Sequence, residues 1–178
     1  AAVFDTQKLE WMNGQYLSSM PLDKLEPRVT PAIVAAGLAS AEQLRGDRYL
    51  ALLELLRVRA RTIHDIVRQA APYLSDTIAY DSDAVAKGWK DPAEASALLR
   101  GVRDKLNETS DWSAESLETA LRALAEERGT TAGKIFQPMR VALTGMSVSP
   151  GIFDVLISLG REKSLARVES AIMRLAVP

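Results

Sequence analysis

Cysteine is missing from this sequence of 178 residues, and histidine occurs once. The lack of thiols excludes disulfide bonds and thiolate metal sites, and it is typical of proteins that fold in a reducing cytoplasm. A single histidine cannot supply the cluster of imidazole ligands that zinc sites use. We therefore expect no metal site, no cofactor bound by this chain, and a cytoplasmic location.

Long apolar segments are also missing. No run approaches the roughly 20 apolar residues that a membrane-spanning helix needs. Residues 1–4 lack the basic and apolar regions of a secretory signal peptide. The sequence therefore predicts a soluble protein without membrane contacts.

Catalytic motifs are equally scarce. The glycine-rich patterns that hold nucleotide phosphates do not occur. His64 is the single candidate for a general base, but the adjacent Asp65 would lie about 100° away around a helix and would not face it. No set of acid, base and nucleophile can be assembled, so we predict no catalytic residue in this chain.

Charge is nearly balanced overall, at −1, but it is unevenly distributed. Residues 1–129 contain 16 Lys and Arg against 20 Asp and Glu, whereas residues 130–178 contain 6 against 3. A second basic stretch, residues 57–68, has four arginines and one aspartate. Such patches on a neutral protein suggest local contacts with a polyanion, although a solvated helix face would give the same pattern.

The hydrophobic pattern predicts an all-α fold of two consecutive helical subdomains. Asp5 caps a first predicted helix with an apolar stripe, Pro31 restarts the chain, and residues 57–61 separate two helices. Asp91 and the proline after it open another helix. The least periodic region, residues 72–91, sets the predicted boundary between domains 1–76 and 77–178. A weak strand-like alternation occurs at residues 141–143.

Two phrases resemble a known family. Residues 3–17 read V-F-D-T-Q-K-L-E-W-M-N-G-Q-Y-L, and residues 137–145 read Q-P-M-R-V-A-L-T-G, followed by S-P-G-I-F at 149–153. Their order and separation resemble the carboxy-terminal half of bacterial-type glutamyl-tRNA synthetases, which are class I aminoacyl-tRNA synthetases. The resemblance implies a first helical subdomain that contacts the tRNA stem and begins anticodon binding, and a second that holds the anticodon loop. It also implies that the ATP, magnesium and glutamate site lies in a catalytic half absent from this chain.

The resemblance assigns the reading of the third anticodon base to Arg59. A guanidinium offers only donors, and the Watson–Crick edge of cytosine offers the acceptors N3 and O2. Guanine presents donors at that edge. Glutamate anticodons end in C and glutamine anticodons in G, so one arginine can separate the two tRNAs. A surface arginine on a charged helix is the alternative.

The second phrase supplies the other predicted anticodon contacts: Arg140, Ser149, Pro150, Gly151 and Ile152. Arg140 would approach the anticodon, with a phosphate contact or a helix-capping ion pair as alternatives. The helix start after Pro150 and Gly151 exposes N–H groups that suit phosphate or base acceptors. Ile152 would pack against an unstacked base.

Four further cations are predicted to contact RNA phosphates, and one tryptophan is predicted to pack against other protein side chains. The phosphate contacts are Arg57, Arg61, Lys134 and Arg161. Trp11, in the first phrase, is expected to pack in a core or between subdomains, with base stacking as the alternative.

These inferences lead to one function and one alternative. The chain is predicted to bind tRNA(Glu) and to position it for ATP-dependent glutamylation by the catalytic domain of the same polypeptide, while being inactive alone. We expect a monomer that does not bind DNA. The alternative is a truncated paralogue that serves as a helical protein–protein interaction module.

Overall fold

The computed structural model describes residues 5–176, and the four residues inspected for a signal peptide lie outside that part. The described residues form ten helices and no strand, which confirms the all-α prediction. The helices are α1 (Thr6–Ser19), α2 (Leu22–Ala35), α3 (Asp47–Arg57), α4 (Ile63–Leu74), α5 (Ser82–Gly88), α6 (Pro92–Glu108), α7 (Ala114–Glu127), α8 (Ala132–Thr144), α9 (Ile152–Leu159) and α10 (Arg161–Leu175). Within the described range, no helix combines the length and apolar character needed to cross a membrane.

The contacts between Cα atoms divide the chain into two units, Ala1–Asp76 and Thr77–Pro178. The first unit contains α1 to α4, and the second contains α5 to α10. The division of roles between stem and anticodon contacts stays a prediction, because the fold alone does not reveal which RNA segment a helix meets.

The first unit is built around α2, α3 and α4. Side chains at helical spacing on these three helices are fully buried: Leu25, Val29, Ile33, Leu53, Leu56, Ile66 and Ala70. Each large member contributes about 1.5–3 kcal/mol through removal of its apolar surface from water. The predicted restart at Pro31 is wrong, because α2 continues through both Pro27 and Pro31. Both prolines lie on the exposed side of the helix, where their rings meet solvent instead of the core.

Helix α1 packs differently from the prediction. Asp5 caps it as expected, by accepting a hydrogen bond from the backbone N–H of Lys8 at 3.1 Å. Leu17 is the buried residue of the helix, whereas Leu9, Met12 and Tyr16 are 53%, 53% and 58% exposed. Trp11 is 61% exposed, so the expectation that it packs is wrong for this chain.

The second unit surrounds α6, which packs against α7, α8 and α10. The predicted cap Asp91 accepts hydrogen bonds from backbone N–H groups at the start of α6, and Ser113 accepts one at the start of α7. The weak strand candidate at residues 141–143 is wrong: these residues belong to α8 and are buried. Successive residues of a helix lie about 100° apart, so burial of three in a row shows that this end of α8 is covered on more than one side, which explains the local apolar run.

The turn between α3 and α4, at residues 58–62, confirms the predicted break and is fixed by a capping box. The Thr62 hydroxyl accepts from the backbone N–H of Asp65, and the Asp65 carboxylate accepts from the N–H groups of Arg61 and Thr62 at 3.1 and 3.0 Å. Partial burial of the Asp65 carboxyl tends to raise its pKa, but these hydrogen bonds and nearby Arg68 outweigh burial and hold the pKa below its usual value.

We predict that Asp65→Ala lowers the free energy of unfolding at neutral pH by about 1 kcal/mol, because the capping box is lost. A lowered pKa in the folded state stabilises the protein above the unfolded-state value and is lost as pH falls through the folded-state value. The difference between wild type and variant should therefore shrink below about pH 4. Urea unfolding at several pH values measures it, with Asp47→Ala as the control for removing an acid near a helix start. A difference that persists at low pH would contradict the assignment.

Gly145 ends α8 in the left-handed region, with φ +73°, and its carbonyl accepts from the N–H of Asp81 at 2.9 Å. A Cβ at this position would lie 2.0 Å from the carbonyl oxygen of Ala79. The close approach of the two backbones therefore requires glycine.

We predict that Gly145→Ala lowers the free energy of unfolding by about 2 kcal/mol or more, from the left-handed conformation and the backbone clash together. Gly133→Ala is the matched control, since a Cβ there meets no atom within 4 Å and alanine favours the helix. Thermal unfolding of both variants distinguishes them. Equal stability of the two would show that the Ala79 backbone moves away at little cost.

Candidate nucleic-acid interface

Arg59 lies in the turn that the capping box holds. Its backbone N–H donates to the carbonyl of Leu56 at 3.4 Å, and the next residue, Ala60, is buried and donates to the carbonyl of Arg57 at 3.3 Å. Arg59 and its neighbour Val58 are both exposed. The first unit therefore presents a guanidinium and an apolar side chain on a backbone segment fixed at both ends.

Arg140 belongs to the second unit and is positioned by the loop that follows α8. Its Nε donates to the Ser149 hydroxyl at 2.9 Å, and its Nη1 donates to Oε1 of Gln137 at 3.3 Å. Ser149 is buried, and its hydroxyl in turn donates to the carbonyl of Pro150 at 2.9 Å. Ser149 and Pro150 thus set the direction of the Arg140 guanidinium and do not themselves face solvent.

Ile152, the predicted contact for an unstacked base, is buried in this structure. Its side chain is 4% exposed and belongs to the buried face of α9, with Val155, Leu156 and Leu159. This conformation leaves Ile152 almost no surface for a base, and its contact with a base stays a prediction. Val148, for which the sequence offered no role, is 65% exposed in the loop directly before Ser149. The available signal was its position, since it precedes S-P-G outside any helical periodicity.

The positive partial charge at the start of α9 is partly neutralised by the carboxylate of Asp154. A Cβ at Gly151 would lie 2.6 Å from Oδ2 of Asp154, so this carboxylate lies beside the first turn of the helix. A carboxylate there stabilises the positive end of the helix dipole and repels a phosphate. The predicted contact of the Gly151 helix start with phosphate or base acceptors stays a prediction, and the Asp154 carboxylate disfavours the phosphate alternative. The sequence signal was an acid three residues after the glycine.

Two of the four predicted phosphate contacts are structural arginines. Arg57 is largely buried, donates to the carbonyl of Met20 and pairs with Glu54 at 2.6 Å. Arg161 donates to the carbonyl of Thr109 and, at 2.6 Å, to that of Asn107, and it lies 5.7 Å from the ring centroid of Trp112. These guanidinium groups satisfy carbonyls at the C-terminal ends of α1 and α6, which gives both arginines a role within the fold, and their contacts with phosphate stay predictions.

The other two predicted phosphate contacts are exposed. Arg61 lies 3.6 Å from Glu10, an exposed pair worth little energetically. Lys134 lines an open cleft of about 390 Å³ in the second unit, together with Lys87 and Lys90 and the acids Asp91 and Glu94. Contacts of Arg61 and Lys134 with phosphate stay predictions.

Comparison with known proteins identifies the family. A family model described as an anticodon binding domain matches residues 22–172. Glutamate–tRNA ligase 2 of Koribacter versatilis (strain Ellin345) is 36% identical over 170 residues, which make up 96% of this chain and 35% of that protein. The glutamate–tRNA ligase of Myxococcus xanthus (strain DK1622) is 36% identical over 176 residues, or 98% of this chain and 36% of that protein.

A solved structure shows the same fold. The glutamate tRNA ligase from Elizabethkingia meningosepticum CCUG26117, crystallised in complex with its amino acid, superposes with a TM-score of 0.76 at 26% identity. The alignment covers 98% of this chain and 34% of that one. The chain therefore spans about a third of the length of the relatives it matches. It belongs to the anticodon-binding domain family and is homologous to the C-terminal part of glutamate–tRNA ligases.

Proposed function

We propose that this chain is the tRNA-recognition portion of a glutamate–tRNA ligase, which binds the anticodon of tRNA(Glu) and presents the tRNA to a catalytic domain of the same polypeptide. The observation that carries the proposal is the family match over residues 22–172. The exposed Arg59 on its fixed turn and the Arg140 guanidinium held by Ser149 support it.

Arg59 reads the third anticodon base in this proposal. Its guanidinium presents donors to N3 and O2 of cytosine, whereas guanine meets it donor against donor. The capping box restrains the backbone on which the arginine stands, so fewer degrees of freedom are lost on binding. Val58 beside it offers an apolar surface to the same base or its neighbour.

The second unit supplies three different chemical groups to the remaining bases. Arg140 offers donors, Asp154 offers acceptors, and Val148 offers an apolar surface outside the core. Recognition of single-stranded RNA uses the same combination of hydrogen bonds to base edges and packing on base faces. Pro150, Gly151 and Ile152 shape the backbone that brings these groups together.

The chemistry belongs to the unmatched two-thirds of the ligase in this proposal. The chain alone is inactive, acts in the cytoplasm as a monomer, and contributes binding energy and orientation. ATP, magnesium and glutamate bind the catalytic domain. Lys134 and Arg61 add phosphate contacts in this proposal. Binding therefore weakens as the salt concentration rises, because the release of counterions from the RNA then gives a smaller gain in entropy.

We predict that the chain binds a tRNA(Glu) transcript about 5- to 100-fold more tightly than a transcript with G as third anticodon base, since one well-oriented set of base contacts is worth about 1–3 kcal/mol. Arg59→Gln should abolish most of that preference. Fluorescence titration at two salt concentrations measures both affinities.

Arg68→Gln is the matched control for Arg59→Gln, since it removes an exposed arginine from the same unit. It should weaken both transcripts equally and keep their ratio. Equal binding of the two transcripts by the wild type would reduce Arg59 to a non-specific contact. No binding of either at low salt would reject the proposal in favour of a helical protein–protein interaction module.

We also predict that Val148→Ser weakens tRNA(Glu) binding several-fold without changing the unfolding midpoint, because the side chain is exposed and outside the core. Ile152→Ala should instead lower the free energy of unfolding by about 2–4 kcal/mol, since it leaves a cavity under α9. Ile157→Ser, at another exposed apolar position in the second unit, is the control for Val148→Ser and should leave affinity unchanged. Equal effects of the two serine variants would remove Val148 from the interface.

A further inference from the structure

The cleft of the second unit collects lysines that have no partner within the fold. Lys87 lies in α5, Lys90 in the turn before α6, and Lys134 in the first turn of α8. All three are exposed, and within residues 5–176 none of their ammonium groups forms an ion pair or a hydrogen bond. Three like charges from separate segments of the chain therefore converge on one concave surface without an ion pair to balance them.

The walls of the cleft are held by buried contacts between α5 and α8. Trp89, which lies between the first two lysines, is buried, and its indole N–H donates to the carbonyl of Pro138 at 3.1 Å. Gly88 packs so closely on α8 that a Cβ there would lie 2.5 Å from Cγ2 of Val141. The segment that carries two of the lysines is thus fixed against the helix that carries the third, so an anion does not have to bring them together when it binds.

The same cleft contains acceptors as well as donors. Asp91 caps α6 by accepting from the N–H groups of Ala93 and Glu94 at 3.0 Å, so its carboxylate is already engaged. The Glu94 carboxylate is exposed and, in the described part of the chain, accepts no hydrogen bond. The positive end of α8 also faces the cleft, and the Thr131 side chain makes no capping hydrogen bond there. Several cations with one available carboxylate fit a ligand that is anionic at one end and carries a hydrogen-bond donor at the other.

We infer that this cleft binds a phosphorylated ribose unit. The lysines and the start of α8 hold the phosphate, and Glu94 accepts a hydrogen bond from a ribose hydroxyl. The volume of about 390 Å³ lies within the range of small-ligand sites, and Ala95, Leu98 and Pro138 give the cleft an apolar wall. Such a unit comes from the backbone of the bound tRNA or from a free nucleotide. The first source rests on the proposed function.

Gln137 connects the cleft to the Arg140 guanidinium. Its side chain lines the cleft, and its Oε1 accepts from Nη1 of Arg140 at 3.3 Å. The remaining N–H₂ group of the amide offers two donors for a phosphate oxygen. A phosphate that accepts from this amide fixes the oxygen that holds Arg140, so an occupied cleft restrains a proposed base-reading residue. Lys134 and Arg140 are separated by about 9 Å along the axis of α8, so one RNA strand can meet both.

Lysine acetylation measures occupancy of the cleft. A water-soluble acetylating ester is applied under single-hit conditions, and peptide mass spectrometry gives the rate at each lysine. With a saturating tRNA(Glu) transcript, Lys87, Lys90 and Lys134 should all slow at least about threefold, because a bound phosphate covers their ammonium groups. Lys163, on α10 outside the cleft, is the reference in the same unit and should not change.

Adenosine 5′-monophosphate distinguishes the two sources. Protection of the same lysines by this nucleotide without RNA assigns the cleft to free nucleotides, and protection by tRNA(Glu) alone assigns it to the RNA backbone. Adenosine, which lacks the phosphate, should give none. The protecting ligand, as the nucleotide or as the anticodon stem-loop, should bind several-fold more tightly than its 2′-deoxyribose form. Glu94→Gln should remove that preference, because it replaces the carboxylate that holds the hydroxyl.

A double-mutant cycle tests the connection through Gln137. Lys134→Gln and Arg140→Gln should each weaken tRNA(Glu) several-fold, measured with the nucleotide present if the nucleotide is the ligand. The double variant should lose less than the product of the two losses, because an empty cleft already leaves Arg140 less restrained. In a Gln137→Leu background the losses should multiply. Arg100→Gln, at an exposed position of α6 outside the cleft, is the control for Lys134→Gln and should be independent of Arg140→Gln.

Four results would overturn the inference. The cleft lysines could keep their acetylation rates with both probes, or Lys163 could be protected as strongly as they are. The preference for ribose could survive Glu94→Gln, or the cycle could stay non-additive in the Gln137→Leu background. Protected lysines without a preference for C as third anticodon base would reject the proposed function alone. That preference with unprotected lysines would reject the cleft site alone.

Discussion

Arginine side chains that bind the carbonyl ends of neighbouring helices hold the ends of α1, α6 and α8 in place. Arg57 donates to Met20 after α1, Arg161 donates to Asn107 and Thr109 at the end of α6, and Arg167 donates to Leu143 in the last turn of α8 at 2.6 Å. These carbonyls have no intrahelical donor and carry the negative end of the helix dipole. A guanidinium provides several donors and a positive charge at once, so it suits this position better than a lysine.

This use of arginine explains why charge alone does not identify RNA contacts. Arg57 and Arg161 look like free cations in the sequence, but their carbonyl partners lie 37 and 52 residues away. Local patterns do not reveal such distant pairings. By contrast, the caps at Asp5, Asp91 and Ser113 were predictable, because an N-cap side chain and the backbone N–H that donates to it lie within three residues of each other.

The exposure of the candidate site residues was not predictable from the sequence. The segment S-P-G-I-F indicates a loop for the proposed site, but helical periodicity alone does not say whether position 152 or position 148 meets solvent. Burial of α9 against the second unit decides that, and it places Ile152 inside and Val148 outside. For α1 the prediction erred in the opposite direction: the sequence predicted a buried apolar stripe, but Leu9, Met12 and Tyr16 are exposed. An apolar stripe at helical spacing does not by itself reveal whether another element covers it.

The division into two separately packed units has a consequence for how strictly one anticodon base can be checked. In the proposed function, Arg59 on the first unit and Arg140 on the second each bind the same RNA loop, which makes the binding bivalent. Once one unit binds, the other meets the RNA at an effective concentration on the order of millimolar, and the overall affinity exceeds that of either contact. Under that proposal, a mismatch at the third base removes more than the Arg59 contact: it leaves a monovalent complex, which releases the wrong tRNA faster.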